Sequence, residues 1–262
     1  AHPEWALYDE AGIPIAFGED FLGLMNPSRG SPWSRHLLNE CAHALETIPF
    51  DGLHIDQYGD PKRAWDSGGD PVDLPKAFVD FIQSASVQHP GKTILFNAVG
   101  NWPVEAIAES AVDFLYIEIW PPEVEYLHLA EIVLKAVHLS RGKAVVIALY
   151  LPASQSHNNL LADALILACG GTRIELGEDA RLLSDPYFPK HEDVSPELSF
   201  ELRRFSDFMV RNGEWLRPYN LSSTDREKWS QGLLNPEFIS KDDSIWTVAR
   251  HFPGTMVIQL VN

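Results

Sequence analysis

Two carboxylates stand out because each closes a short apolar run and is flanked by aromatic rings: Asp56 in Ile55-Asp56-Gln57-Tyr58, and Glu118 in Tyr116-Ile117-Glu118-Ile119-Trp120. Paired acids at strand ends are the equipment of glycosidic bond cleavage. At about 5 to 5.5 Å apart one acts as nucleophile and the other as acid/base with retention, whereas a wider gap leaves room for an attacking water. A single strand-end acid is equally well a cap or a salt-bridge partner. Two of them beside aromatics shift the balance toward chemistry, and Asn97 and Glu175 also fall at or near the ends of apolar runs. Other chemistries lack their signatures. The ten His include no HExxH and no paired Cys/His spacing, so no metal site is expected. No GxGxxG follows a strand, so neither dinucleotide nor phosphate binding is indicated, and no cofactor is expected.

The elements that must hold these residues alternate. Residues 32 to 48 read as a helix opened by Ser31 as N-cap and Pro32, with Leu37, Leu38, Cys41 and Leu45 on one face. A strand over 52–56 follows, then a Gly/Asp/Pro-rich loop from Gly59 to Pro71, a helix over 74–88 and a strand over 93–99. A short helix near 103–109 leads to a strand over 113–119, and a helix over 125–139 leads to the apolar run Ala144 to Leu151. A helix over 157–169, a strand over 172–176 and a long helix over 196–215 complete the series. Five strand-helix units of this kind imply a parallel sheet with helices outside it. Open sheets and barrels share such spacing, but polar groups gathered at the carboxyl ends of strands favour a (β/α)₈ TIM-barrel type, whose active site lies at that mouth. Pro14 to Phe17 and Phe21 to Met25 are short strand candidates. Ser244 to Phe252 and Thr255 to Val261 read as an antiparallel hairpin. The expected organisation is a catalytic barrel over 1–218, then a linker and the first hairpin of a C-terminal β module over 219–262.

Composition narrows the partners. The 262 residues are 45% hydrophobic and 22% charged, with formal net charge −17. Such a chain folds as a globular protein and repels phosphate backbones and anionic lipid. Neither nucleic acid nor a membrane is expected as a partner. No apolar stretch approaches the roughly 20 residues that span a bilayer, and Ala1-His2-Pro3-Glu4 carries no basic stretch leading into an apolar run. Cys41 and Cys169, both in helical segments, are expected as buried free thiols. Eight Trp, seven Tyr and thirteen Phe suit both a large core and stacking on neutral sugar rings.

Specific motifs then carry a resemblance. Phe50-Asp51-Gly52-Leu53-His54-Ile55-Asp56-Gln57-Tyr58-Gly59 resembles the nucleophile segment of glycoside hydrolase family 66, the dextranases and cycloisomaltooligosaccharide glucanotransferases. Asp113-Phe114-Leu115-Tyr116-Ile117-Glu118-Ile119-Trp120 resembles that family's acid/base strand. Pro3-Glu4-Trp5-Ala6-Leu7-Tyr8, Leu24-Met25-Asn26-Pro27, Phe96-Asn97-Ala98-Val99, Gly170-Gly171-Thr172-Arg173-Ile174-Glu175-Leu176-Gly177 and Tyr187-Phe188-Pro189 match in order through nearly the whole chain.

The resemblance implies that Asp56 is the nucleophile of a covalent glucosyl ester and Glu118 the acid/base. On that reading donors such as Asn97 or His54 keep Asp56 ionised, while Glu118, beside Trp120 and Tyr116, holds a proton near neutrality. Tyr58, Trp102, Trp120 and Tyr150 are candidate sugar-stacking residues, each equally suited to packing, and Glu175 is expected to shape the mouth. The implied substrate is an α-glucan polysaccharide or oligosaccharide. Cyclising members are expected to carry a long insertion after the seventh barrel strand, where this chain has only Pro152 to His157, so internal hydrolysis of dextran is favoured over cyclisation. By the same alignment the chain holds strands four to eight, a window of a larger enzyme. Secretion is expected, because polymeric dextran does not enter cells. Two alternatives stay open beside cyclisation: another retaining α-glucosidase- or α-galactosidase-like enzyme, and a non-catalytic carbohydrate-binding barrel.

Overall fold

Short polar signals start the helices where the sequence places them. In the computed structural model, which describes residues 2–18, 22–120, 125–174, 181–184, 191–216, 246–252 and 255–261, Ser31 accepts a hydrogen bond from the Ser34 amide and α1 runs Pro32–Thr47. Its expected apolar stripe is only half-buried. The carboxylate of Asp73 caps α2, Leu74–Gln88, by accepting from the Lys76 amide. Leu74, Ala77, Phe78, Phe81, Ile82 and Ala85 recur three and four residues apart and are all buried, the pattern of one helix face pressed on a sheet. The chain divides into two units, Ala1–Leu115 and Tyr116–Asn262, and each is described in its own terms.

In the first unit β1, Gly52–Ile55, runs parallel to β2, Thr93–Val99, with Gly52 opposite Thr93 and Ile55 opposite Phe96. The short helix α3, Val104–Glu109, follows β2. The approach to β3, Leu115–Glu118, lies beside β2: the Asp113 amide donates to the Ile94 carbonyl at 2.9 Å, and the Asp113 carboxylate accepts from the Ile94 amide at 2.7 Å. That side chain takes the place of a ladder partner, so β3 starts two residues later than its apolar run. Ile94, Phe96 and Ala98 of β2 are buried with Ile107 and the α2 stripe. The short strand candidates at 14–17 and 21–25 pair as a two-residue ladder, Ala16–Phe17 with Leu22–Gly23, whereas a second two-residue ladder, Ala64–Trp65 with Pro71–Val72, lies in the Gly59–Pro71 loop and escapes a periodicity reading. Tyr8 exchanges both backbone hydrogen bonds with Trp65, at 2.8 and 2.9 Å, and Leu7 beside it is fully buried.

In the second unit β3 neighbours β4, Val145–Ala148, which pairs in parallel with β5, Thr172–Ile174. The apolar run to Leu151 does not continue as strand, because the Leu149 carbonyl is taken by the Arg173 guanidinium at 3.1 Å. Helix α4, Tyr126–Ser140, buries Leu129, Ile132, Val133, Ala136 and Val137 and ends at Arg141 in the left-handed region. Helix α5, Ser156–Ala168, is buried over most of its circumference. A covering on its far side comes from the hairpin of β6, Trp246–Phe252, and β7, Thr255–Val261: Val248 and Val261 form a core with Ala168, Leu161 and Ala164. The single long helix expected over 196–215 is instead two. α6, Pro196–Arg211, is capped by Ser195, and α7 is Gly213–Leu216. Asn212 between them donates its side-chain amide to the Phe208 carbonyl at 2.9 Å, and glycine at 213 adds a weak helix former, so the turn breaks there. Cys41 is half-buried and Cys169 buried, both as free thiols. Burial, with Glu40 beside it, pushes the Cys41 thiol above its ordinary value. The boundary expected at residues 218/219 lies outside the described residues.

Candidate active site

Asp56 follows β1 by one residue, and Asn97 follows the Ile55–Phe96 pair on the neighbouring strand. Parallel register brings their side chains together: the Asn97 amide Nδ2 donates to Asp56 Oδ1 at 3.0 Å. The Gln57 amide donates to the same oxygen at 2.9 Å. Asp56 is exposed while Asn97 is only 5% exposed, so a solvent-reachable carboxylate is fixed by a buried donor. Of the two donors expected to hold Asp56, Asn97 is in contact; His54, two residues back on β1, is exposed like Asp56.

Gln57 was not singled out in the sequence, yet its side chain organises the loop. Its Nε2 donates to the Trp102 carbonyl at 3.1 Å and its Oε1 accepts from the Gly59 amide at 2.6 Å. Gly59 sits at φ +75, where a Cβ would come within 2.9 Å of Val99 Cγ1, so only glycine gives that turn without strain. Tyr58 between them carries its hydroxyl into the interior, with no hydrogen-bond partner among the described residues, and burial pushes its pKa far above the ordinary phenol value. Trp102 lies edge-on to Phe78 at 5.9 Å, with the Lys62 ammonium 5.9 Å from its ring centroid. Its contacts within this unit are those of packing.

Within the second unit Glu118 is the last residue of β3 and is 6% exposed. The Tyr150 hydroxyl donates to its Oε1 at 2.8 Å. Trp120 stands tilted against Tyr150 with ring centroids 6.1 Å apart, and its indole Nε1 is buried without a hydrogen-bond partner among the described residues. Tyr116, half-buried, precedes Glu118 by two on the same strand, so the two side chains share a face. Glu118, Tyr150 and Trp120 thus form one cluster, and Tyr150 serves it through its hydroxyl as well as its ring. Glu175 lies outside the described residues.

A second polar group that sequence reasoning missed lies behind Tyr150. Arg173 donates to Asp163 Oδ1 at 3.0 Å and to Asn159 Oδ1 at 2.9 Å, with the Arg173 and Asp163 side chains 1% and 3% exposed. The signal was present: an arginine in the middle of a short strand, and Asp163 within the apolar run Leu160 to Ala168 of the helix, four residues after Asn159. Among the described residues no group of three His, Cys, Asp or Glu side chains could hold a metal ion.

A buried acid under a phenol donor and an exposed acid under amide donors are differently solvated carboxylates, the contrast that acid/base and nucleophilic roles require. Similarity to known proteins bears on the family of the chain. Two cycloisomaltooligosaccharide glucanotransferases of Niallia circulans are 29% identical over 166 residues and 28% over 165. Each match covers 57% of this chain and 17% of the relative, so the matched part spans less than a fifth of these proteins' length. A Paenibacillus sp. cycloisomaltooligosaccharide glucanotransferase, crystallised with cycloisomaltoheptaose, superposes with a TM-score of 0.76 at 17% sequence identity, covering 98% of this chain and 58% of that one. That likeness bears on the fold, an α/β arrangement of strands alternating with helices. The profile of glycosyl hydrolase family 66 matches residues 1–262, and the chain belongs to that family.

Proposed function

We propose that the protein acts on α-1,6-glucan as a retaining glycosidase, cleaving internal bonds of dextran. In this reading Asp56 attacks the anomeric carbon while Glu118 gives its proton to the departing glycosidic oxygen. The C–O bond breaks and a glucosyl ester forms on Asp56. Glu118, now a carboxylate, takes a proton from water as that water attacks the ester, and both groups return to their starting states. The observation that carries the reading is the contrast in surroundings: Asp56 exposed and held by two N–H donors, Glu118 buried beneath the Tyr150 hydroxyl. Donors at one oxygen leave the other Asp56 oxygen available for attack. Family membership supplies the substrate class.

Hydrolysis is favoured over transfer by the connection between β4 and α5. It is seven residues long, 149 to 155, and contains no inserted module. Cyclisation is the second reading, supported by the names of the relatives above. In cyclisation a sugar hydroxyl of the same chain replaces water in the second step. Dextran incubated with the intact protein separates these outcomes: linear isomaltooligosaccharides of mixed length mark internal hydrolysis, closed rings mark transfer, and glucose released first marks an exo-acting α-glycosidase. Binding of isomaltooligosaccharides without turnover is the result for a non-catalytic carbohydrate-binding barrel. Asp56→Asn and Glu118→Gln should each lower turnover by at least about a thousandfold, and an unchanged rate in either would defeat the assignment. A polymeric substrate also leads us to place the enzyme outside the cell.

A further inference from the structure

The buried Arg173 guanidinium divides its donors between one helix and the segment that follows β4. It bonds Asp163 and Asn159 on α5, and its Nε donates to the Leu149 carbonyl at 3.1 Å. Asn159, itself fully buried, donates from Nδ2 to the Pro152 carbonyl at 2.9 Å and the Gln155 carbonyl at 3.1 Å. The two carbonyls so held, Leu149 and Pro152, bracket Tyr150 and Leu151. Tyr150 is the residue whose hydroxyl donates to Glu118. We infer that Arg173 and Asn159 are positioning residues for Glu118, clamping both sides of the short segment that presents the Tyr150 hydroxyl.

Stability alone is a poor account of such a group. A buried ion pair typically stabilises a fold no better than apolar residues of the same volume. What this one adds is directional: a planar guanidinium with fixed donor angles reaches a strand-end carbonyl that would otherwise continue the β4 ladder, and so turns the chain out at Leu149. Asn159 repeats the operation three residues later. Neither residue touches the Glu118 carboxylate, so both act through Tyr150. The inference rests on the role proposed for Glu118.

The test is a double-mutant cycle in the intact protein with dextran as substrate, scored on kcat and KM at equal amounts of folded enzyme. Arg173→Lys keeps a positive charge for Asp163 but cannot also hold the Leu149 carbonyl and Asn159. It should lower kcat about tenfold with KM within about twofold, as expected when a reacting group is displaced by a fraction of an ångström. Tyr150→Phe should lower kcat by a similar factor. In the Tyr150→Phe background Arg173→Lys should then have little further effect, because the group it places is gone. Additive losses, or an Arg173→Lys enzyme with a lower melting temperature and unchanged kcat, would overturn the inference. If Arg173→Lys does not fold, Asn159→Ser, which leaves the Arg173–Asp163 pair intact, runs the same cycle with the same two readings. Glu118→Gln in parallel separates the failures: an active Glu118→Gln enzyme defeats the glycosidase assignment itself, while an inactive one with an additive cycle defeats only the positioning role.

Discussion

Asn97 and Asp56 illustrate how little of a carboxylate's setting is local in sequence. Forty-one residues separate them, yet parallel pairing of β1 and β2 puts the amide 3.0 Å from the carboxylate. A hydrogen bond to a charged group contributes about 1.5 to 3 kcal/mol when buried, and exposure of Asp56 argues for the lower end. Asn97→Ala should therefore lower kcat/KM on dextran about tenfold, through loss of orientation at the proposed nucleophile. Asn97→Asp should be worse than Asn97→Ala, since it sets a second negative charge against the first and removes the donor together. Kinetics of the two variants check the order; equal effects would mean that only packing at residue 97 matters. The aromatic candidates divide by the same kind of contact. Tyr150 is tied to Glu118 by its hydroxyl, whereas Trp102 has its ring edge-on to Phe78. A ring's type was legible in the sequence; the direction its polar atom takes was not, because that depends on which strand lies beside it.

At the scale of elements, the closest approach between β1 and β2 is set by Gly52. A Cβ built there would lie 2.0 Å from the Thr93 carbonyl oxygen and 2.8 Å from the Thr93 carbonyl carbon. Backbone atoms of a paired strand cannot move aside as a flexible side-chain end can. Gly52→Ala should destabilise the fold by on the order of 3 kcal/mol, read as a lower denaturation midpoint, with activity lost in proportion because Asp56 follows β1 directly. An Ala variant as stable as the parent would show that the two strands separate freely at that end. Helices were the most legible elements. Ser31 marked the start of α1 to the residue, since a cap acts within one turn of chain. The strands were legible as apolar runs but not in their bounds. β3 starts late because Asp113 substitutes for a ladder partner, and β4 stops early because Arg173 captures Leu149. Both corrections come from contacts that span 19 and 24 residues of chain, which no window of local periodicity contains. The helix break at Asn212-Gly213, by contrast, was written locally, and the apolar spacing across it concealed it.

For the whole molecule the informative piece is the hairpin of β6 and β7. The sequence marks it as the opening of a separate β module, because its alternation differs from all that precedes it. Its inner residues nevertheless belong to a core with α5: Val248, 1% exposed, and Val261 lie against Ala168, with Leu161 and Ala164 beside them. The outer side chains Met256, Ile258 and Leu260 are exposed, as one face of a two-stranded ribbon must be when only the other is covered. α5 also carries Asn159 and Asp163, the residues that hold Arg173, so the hairpin covers the helix from which the Tyr150 clamp is built. Val248→Asp should remove roughly 2 kcal/mol of apolar burial and, in addition, either bury an unpaired carboxylate or release the hairpin from α5. Limited proteolysis should then cut the hairpin segment in the variant under conditions that leave the parent whole. Release of the hairpin should loosen α5, so kcat on dextran should fall together with the new cleavage. An exposed-face control, Ile258→Asp, changes the same ribbon without touching the α5 core and should leave both readouts near the parent's. Loss of activity in Ile258→Asp but not in Val248→Asp would mean that the hairpin serves the protein through its outer face and not through α5.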